Sequence, residues 1–279
     1  MRALKMNNRK FRMFSIPYLV WMLVFTIIPL ALIAFFAFTD RDTGAFTLDN
    51  IQYASKYLPV LVKSVWLAAV ATVICLVISY PLAYIMSKMK LNHQRTMMML
   101  IMLPMWMNFL LRTYAWMSIL ETNSGLLNKV ITFFGFEPVN VMYTQGAVIL
   151  GMVYNYIPYM ILPLYTIMVK LDGRLIEAAQ DLGCNTFNVF RKVIIPLSFP
   201  GITSGVTMTF VPAVSTFVIS QMLGGPKNSL VGDLIESQFI TAYNPNYGSA
   251  ISLLLMVVVF ICMGIFNQFD NEEMEETLK

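Results

Sequence analysis

Six stretches of this chain are each apolar for long enough to cross roughly 30 Å of hydrocarbon as a helix. They run over Phe14–Phe38, Val60–Met86, Met97–Leu120, Gly146–Val169, Gly201–Leu223 and Tyr247–Phe269. Composition agrees: 12% of the 279 residues are charged, about half the usual fraction of a soluble domain, and 58% are hydrophobic. A basic tail precedes the first apolar run, as it would a secretory signal. The run is too long for a signal-peptide core and no small-residue cleavage site follows, so it is expected to remain as a span. The expected fold class is an all-α polytopic membrane protein with six transmembrane helices. Residues 1–13 make a basic tail, 14–269 the membrane domain and 270–279 an acidic tail.

Basic residues set the expected orientation. Arg2, Lys5, Arg9, Lys10, Arg12, Lys88, Lys90, Arg95, Lys170, Arg174, Arg191, Lys192 and Lys279 fall on one side, and only Arg41, Lys56, Lys129 and Lys227 on the other. That bias puts both termini in the cytoplasm, and the acidic tail weighs little against it.

The carboxylates decide what drives such a protein. All 15 Asp and Glu residues fall in loops, at span edges or in the tail. Proton relays and many ion-coupled carriers need buried carboxylates or histidines, so a self-powered carrier is disfavoured. No G-x-x-x-x-G-K-[ST] loop is present to cradle ATP phosphates. Cys75, Cys184 and Cys262 have no metal-ligand spacing, and the single histidine, His93, lies in a basic loop. That inventory supplies no metal site and no catalytic constellation for an intramembrane enzyme. No catalytic residue, metal or cofactor is expected, and energy for uphill movement has to come from another chain.

One cytoplasmic segment, 172–197, interrupts the hydrophobic sequence with EAAQDLGCNTFNVFRKVIIPL. As a helix, Arg174 to Leu182 is amphipathic, with Leu175, Ala178, Ala179 and Leu182 on one side and Arg174, Glu177, Gln180 and Asp181 on the other. Asp172 is placed to cap its start, and Gly183 to end it in a left-handed turn. Asn185 or Thr186 is placed to cap a second short helix carrying Phe187, Phe190 and Ile194, and Pro196 and Pro200 bound the entry to span five. Periodicity alone fits either a helix lying on lipid or one approached by another protein.

The spacing Glu177-Ala178-Ala179, three residues, Gly183, nine residues, then Val193-Ile194-Ile195-Pro196 resembles the EAA motif of binding-protein-dependent ABC importer permeases. The family usually has Ile at the position of Val193 and Leu at that of Ile195. In that family the EAA segment is the coupling helix that docks into the ATPase, which implies that role for Glu177, Ala178, Ala179, Asp181, Leu182 and Gly183. ISYPLAYIMSK, LPMWMNFLLRTYAW, IIPLSFPGITSG and MLGGPKNSLVGDLIESQF extend the likeness toward the spermidine/putrescine permease subfamily, and within it toward the first of the two permeases. The resemblance implies a type I importer fold with its core at about 60–269, in a bacterial plasma membrane. It implies a second homologous permease, an ATPase dimer that binds ATP and Mg²⁺, and an extracytoplasmic polyamine-binding protein; no nucleic-acid partner is expected. Related permeases carry other cations, amino acids or iron.

A polycationic cargo calls for carboxylates or aromatic faces along its path. With no carboxylate at membrane depth, the candidates are aromatics: Trp106, Tyr114, Trp116, Tyr154, Tyr156 and Tyr159. Tyr154 and Tyr159 stand out because Asn155, Pro158 and Pro163 predict a kinked, locally polar span four. Ser204, Thr207 and Ser215 share one face of span five and are expected to line the pathway. Arg112, roughly 22 Å along span three from Met97, either snorkels or guards an outer gate, with Asn108 and Trp116 on its side. Lys63 is expected to snorkel. Outside, GGPKNSLVGDLIESQF is expected to form a gate whose Asp233 and Glu236 attract a polycation.

Overall fold

A computed structural model describes residues 16–277. The basic tail, the start of the first span and the side chains of the acidic tail lie outside the described residues. In chain order the helices are α1 (Ile16–Ala37), α2 (Asp49–Ser55), α3 (Leu58–Lys88), α4 (Leu91–Trp106), α5 (Phe109–Leu120), α6 (Leu126–Phe133), α7 (Gln145–Met168), α8 (Gly173–Asp181), α9 (Thr186–Val214), α10 (Val231–Glu236) and α11 (Pro245–Thr277). Of these, α1, α3, α7, α9 and α11 are long and apolar enough to cross a membrane.

Expected span three is not one rod. Helices α4 and α5 meet at 90°. Met107 and Asn108 are extended, and the Asn108 side chain accepts the Leu110 N–H at 2.8 Å, starting α5 as a new helix. Counting the bent pair as one crossing gives six spans. Span five also departs from expectation. The second short helix does not stop at Pro196 or Pro200 but continues through both as α9. A π-helical turn at Phe190–Ile194 shifts the bonding register, so that Ile195 N–H donates to Phe190. Pro196 follows directly, where its missing N–H is absorbed by that shift. At the far end α9 stops at Val214, and residues 215–217 are non-helical before a π turn at Ser220–Gly224.

The described chain divides into two compact units. The first contains residues up to Leu58 and Ile235–Met256. Its organising contacts close the C-terminus of α1, whose last carbonyls lack intrahelical donors. Buried Asn50 donates to the Ala37 and Thr39 carbonyls at 3.2 and 2.8 Å, and buried Asn246 donates to Phe36 and Thr39 at 3.2 and 2.7 Å. Tyr53 stacks on Tyr247 with ring centroids 3.9 Å apart.

The second unit, Pro59–Leu234 with Val257 onward, is built around α7. Against it lies α9, held close by Gly201 and Gly205. A Cβ at Gly205 would fall 2.7 Å from Met160 Sδ, and one at Gly201 would fall 3.2 Å from Ile167 Cβ. Small residues four apart let membrane helices approach backbone to backbone, where dispersion contacts replace the missing hydrophobic drive. Cys75, Tyr80, Ala83, Met160, Leu164 and Met168 form the buried cluster beside this contact. Tyr80 and Ser198 share a buried 2.7 Å hydrogen bond within the unit.

Candidate functional site

Local rules build the 172–197 segment much as its sequence predicts. The Asp172 carboxylate accepts the Arg174 N–H at 3.0 Å and starts α8. At the other end Gly183 takes φ +82°, Cys184 N–H donates to Ala179 at 3.0 Å, and Gly183 N–H donates to Gln180 at 2.8 Å. That pair of bonds is the Schellman closure, and glycine fits it because a left-handed residue with a Cβ is strained. Asn185, rather than Thr186, caps the next helix, accepting the Asn188 N–H at 2.8 Å.

What α8 leaves uncovered is more informative. Of its apolar side, Ala179 is buried against Val189 and Ile194, with Ile176 packed alongside. Leu175 is 48% exposed, Leu182 86% and, across the turn, Phe187 69%. Ala178, Glu177 and Asp181 are exposed as well. Phe190 and Ile194 part company with Phe187: Phe190 sets its ring edge-on to Tyr80 and Tyr84, and Ile194 is buried. The segment is thus a helix capped at both ends, with apolar side chains left uncovered.

The pathway candidates do not gather in one place. Ser204 and Thr207 line an open groove of about 560 Å³ between α9 and α11, with Thr203, Met208, Phe260 and Gly264. Ser204 bonds back to the Pro200 carbonyl at 2.7 Å. Ser215 lies beyond the end of α9 and bonds back to Val211 at 3.2 Å. Tyr154 turns its ring to Trp116, centroids 5.3 Å apart, on an apolar surface groove. Asn155 is buried and donates to Gly151 at 2.9 Å, while Tyr159 is 40% exposed. Helix α7 runs unbroken through Pro158 and Pro163. Trp106, 83% exposed, stands at the α4–α5 bend.

Arg112 does not snorkel, and most of its guanidinium is left without a hydrogen-bond acceptor among the described residues. It is 8% exposed, and its Nε and Nη1 find no acceptor among the described residues. The Phe109 ring lies 5.7 Å from its guanidinium carbon. The bend accounts for this, because Arg112 belongs to the first turn of α5 rather than the outer third of a straight rod. Asn108 is occupied in capping that turn. Lys63 reaches the 227–228 loop, donating to Asn228 Oδ1 at 3.2 Å. Asp233 is buried and accepts the Leu230 N–H, so its carboxylate closes the start of α10 instead of facing open solvent. Glu236 is half-buried at the end of α10.

The sequence profile of the family described as "Binding-protein-dependent transport system inner membrane component" matches residues 3–271. The chain belongs to this family. It is a multi-pass transport component with the type I ABC importer permease fold. Among curated relatives, this transport component is 37% identical to the spermidine/putrescine transport system permease protein PotB of Haemophilus influenzae, over 98% of this chain and 99% of the relative. It is 35% identical to the protein of the same name from Escherichia coli, over 88% and 92%. Among solved structures it is similar in fold to a bacterial ABC transporter involved in the import of the acidic polysaccharide alginate. The TM-score is 0.80 at 13% identity, covering 95% of this chain and 96% of that one.

Two features of the component escape a reading by hydropathy. The Gly201–Gly205 seam is signalled by G-x-x-x-G spacing in PGITSG, and the α4–α5 break by Asn108 four residues after Pro104. Both are local patterns inside apolar runs that a span-length average cannot resolve.

Proposed function

We propose that this chain is the permease subunit of an ATP-driven polyamine importer. It forms half of the translocation pathway beside a second, homologous permease. The observation that carries the coupling role is the uncovered apolar side of α8, where Leu175, Ala178 and Leu182 project from a helix fixed at both ends. An exposed helix face that is rigidly placed suits insertion into a groove on another protein. The partner is an ATPase dimer, which binds ATP and Mg²⁺. Glu177 to Gly183 transmit its closure to α9 through the turn at Cys184–Asn185.

The cargo class follows the relatives' names, spermidine and putrescine. A loaded polyamine-binding protein docks on the side opposite α8, nucleotide closure opens the pathway toward it, and hydrolysis resets the gate. With no carboxylate inside the spans, affinity rests on the binding protein and the permeases offer a weak path. The groove lined by Ser204 and Thr207 is the stretch of that path this chain supplies. Both termini are cytoplasmic in this reading, as the basic bias requires.

Reconstitution with the three partners in sealed vesicles tests it. Labelled spermidine should accumulate only with ATP, and a panel of amino acids and metal ions should not compete. Leu182→Glu, at a side chain too exposed to support the fold, should abolish ATPase co-purification and uptake together. Accumulation by the chain alone, or full ATPase retention in Leu182→Glu, would refute the assignment.

A further inference from the structure

Helix α7 separates two ends of the second unit. At its C-terminus begins the α8 segment; at its N-terminus, 24 residues and so about 36 Å away, lies a second cavity of about 300 Å³. This cavity belongs to neither the groove at Ser204 nor the α8 segment. Its residues come from one face of α5 (Tyr114, Met117, Ser118 and Glu121), from Thr122 and Asn123 in the turn after it, and from Met142 and Tyr143 in the loop before α7. The spacing 114, 117, 118, 121 is the i, i+3, i+4, i+7 stripe of one helix face, turned away from buried Arg112. An aromatic ring and a carboxylate are therefore presented side by side, with a second aromatic facing them.

The carboxylate is available. Glu121 is exposed at the C-terminal end of α5; its Oε2 accepts from Ser124 Oγ at 2.7 Å, and Oε1 accepts from no described residue. The opposite wall is held at a cost. Tyr143 adopts φ +61°, a left-handed conformation that a bulky residue rarely takes and that clusters at ligand clamps. Its N–H donates to the Leu223 carbonyl at 2.9 Å and its own carbonyl accepts from Asn228 Nδ2 at 2.8 Å. Its ring lies so close over Gly225 that a Cβ there would fall 2.7 Å from Tyr143 Cδ1. Two backbone bonds and a glycine thus fix this tyrosine in the cavity wall, although the residue remains 58% exposed. The left-handed backbone itself would be met with less strain by a glycine, so what the tyrosine adds here is its ring.

We infer that this cavity is an entry site for an alkylammonium group: Glu121 Oε1 receives the N–H donors, and Tyr114 and Tyr143 flank the cation with their rings. A carboxylate with aromatic faces is the chemistry that recognises a protonated amine and rejects an anion. A volume near 300 Å³ is at the small end for ligand pockets, so it accepts one aminoalkyl end of a linear amine rather than a bulky solute. The cargo class rests on the polyamine reading proposed above, but the site is tested by binding, which does not require transport.

The test is saturation-transfer NMR with spermidine over the assembled importer in nanodiscs of neutral lipid, without the binding protein. Wild type should give a saturable signal, and 1,8-octanediol, of similar length and no charge, should give none. Glu121→Gln should raise the half-saturating spermidine concentration by about fivefold or more, and Glu121→Asp should preserve most of the affinity. Tyr143→Gly removes the ring while suiting the backbone, so weaker binding there with undiminished thermal stability assigns the ring to the ligand. No signal in wild type, or the same titration for wild type and both Glu121→Gln and Tyr143→Gly, overturns the inference. Labelled spermidine uptake by the same importer separates the two readings. No uptake with Glu121-dependent binding leaves the site standing without the transport reading. Normal uptake with variant-insensitive binding does the reverse.

Discussion

Gly205 and Gly264 put one substitution in two surroundings and so isolate packing from propensity. Alanine in place of a helical glycine gains about 1 kcal/mol from backbone entropy wherever it stands. At Gly264, in α11, an added Cβ meets nothing within 4 Å, so only that gain remains. At Gly205 the Cβ would fall 2.7 Å from Met160 Sδ and 3.2 Å from the Met160 carbonyl oxygen. The sulfur belongs to a fully buried side chain in the main cluster, and the carbonyl is fixed in α7. Overpacking of this kind costs about 1–3 kcal/mol. Gly205→Ala should therefore unfold about 1–3 kcal/mol more easily than Gly264→Ala, which should equal or exceed wild type. Equilibrium unfolding in mixed detergent and lipid, titrated with SDS, measures the difference. Adding Met160→Ala to Gly205→Ala should recover about 1 kcal/mol beyond additivity, because the two side chains compete for one volume. Equal stability of the two alanine variants would refute the claim that α7 and α9 are held by close backbone approach.

Four further outcomes are expected. Tyr80→Phe breaks the buried bond to Ser198 but leaves Ser198 bonded to the Ile195 carbonyl at 3.1 Å, so unfolding should become easier by only about 0.5–1.5 kcal/mol in the same titration. Asp172→Ala removes the α8 cap at about 0.5–2 kcal/mol, and amide exchange at residues 173–176 should accelerate with no change in α7. Arg112→Met should leave the isolated chain as stable or more so, by about 1–3 kcal/mol, since it removes a buried guanidinium whose Nε and Nη1 have no acceptor among the described residues; a large loss of stability would show that the charge is satisfied. The Thr43 backbone N–H, then its hydroxyl and the Asp42 N–H, hold the Asp40 carboxyl below the usual carboxylate range. Its contribution to the Phe38–Leu48 loop is present above the unfolded value near 4 and is lost as pH falls through the lower folded value. Thr43 amide protection, corrected for intrinsic exchange, should hold steady from about pH 8 to 5 and decline only in stronger acid.

The legible parts of this sequence share a physical property: each is decided within a few residues. Asp172, Gly183 and Asn185 act on backbone groups two to five positions away, so cap chemistry alone places the ends of α8 and the start of α9. Span existence is equally local, because crossing a bilayer depends on the length of an apolar run. The features that sequence misplaces depend on groups distant along the chain, or on a register change. Asp233 looks like a surface charge until α10 docks against the body of the unit, where the Val231 N–H meets Ser64 Oγ at 2.8 Å. Gly232 lies so near the non-helical 215–217 that a Cβ would fall 2.5 Å from the Thr216 carbonyl oxygen. That contact accompanies an interruption that apolar Val214–Phe217–Val218 gives no hint of. A depth for Arg112 counted along span three is wrong because such a distance has meaning only if the helix is continuous, and one capping asparagine ends that continuity.

The likeness to an importer of an acidic polysaccharide bears on where selectivity resides. One backbone arrangement serves a polyanion in that protein, and the relatives named for spermidine and putrescine share this chain's sequence over nearly its whole length. Cargo charge is therefore not written in the fold. It has to be written in a few side chains. The spans of this chain contain no Asp or Glu to write it with. In the proposed path a cation meets, on the α9–α11 groove, a Ser204 hydroxyl already turned toward its own helix, where it donates to the Pro200 carbonyl. Such a surface is indifferent to charge and binds weakly, which favours release over capture. Discrimination then falls to the ends of the path, where carboxylates are permitted. On the side opposite α8, Glu121 between two tyrosines is an exposed carboxylate in an aromatic setting within the second unit. If charge selection has been moved from the membrane interior to its rim, neutralising Glu121 should relax preference between spermidine and an uncharged analogue more than any substitution along α9 does.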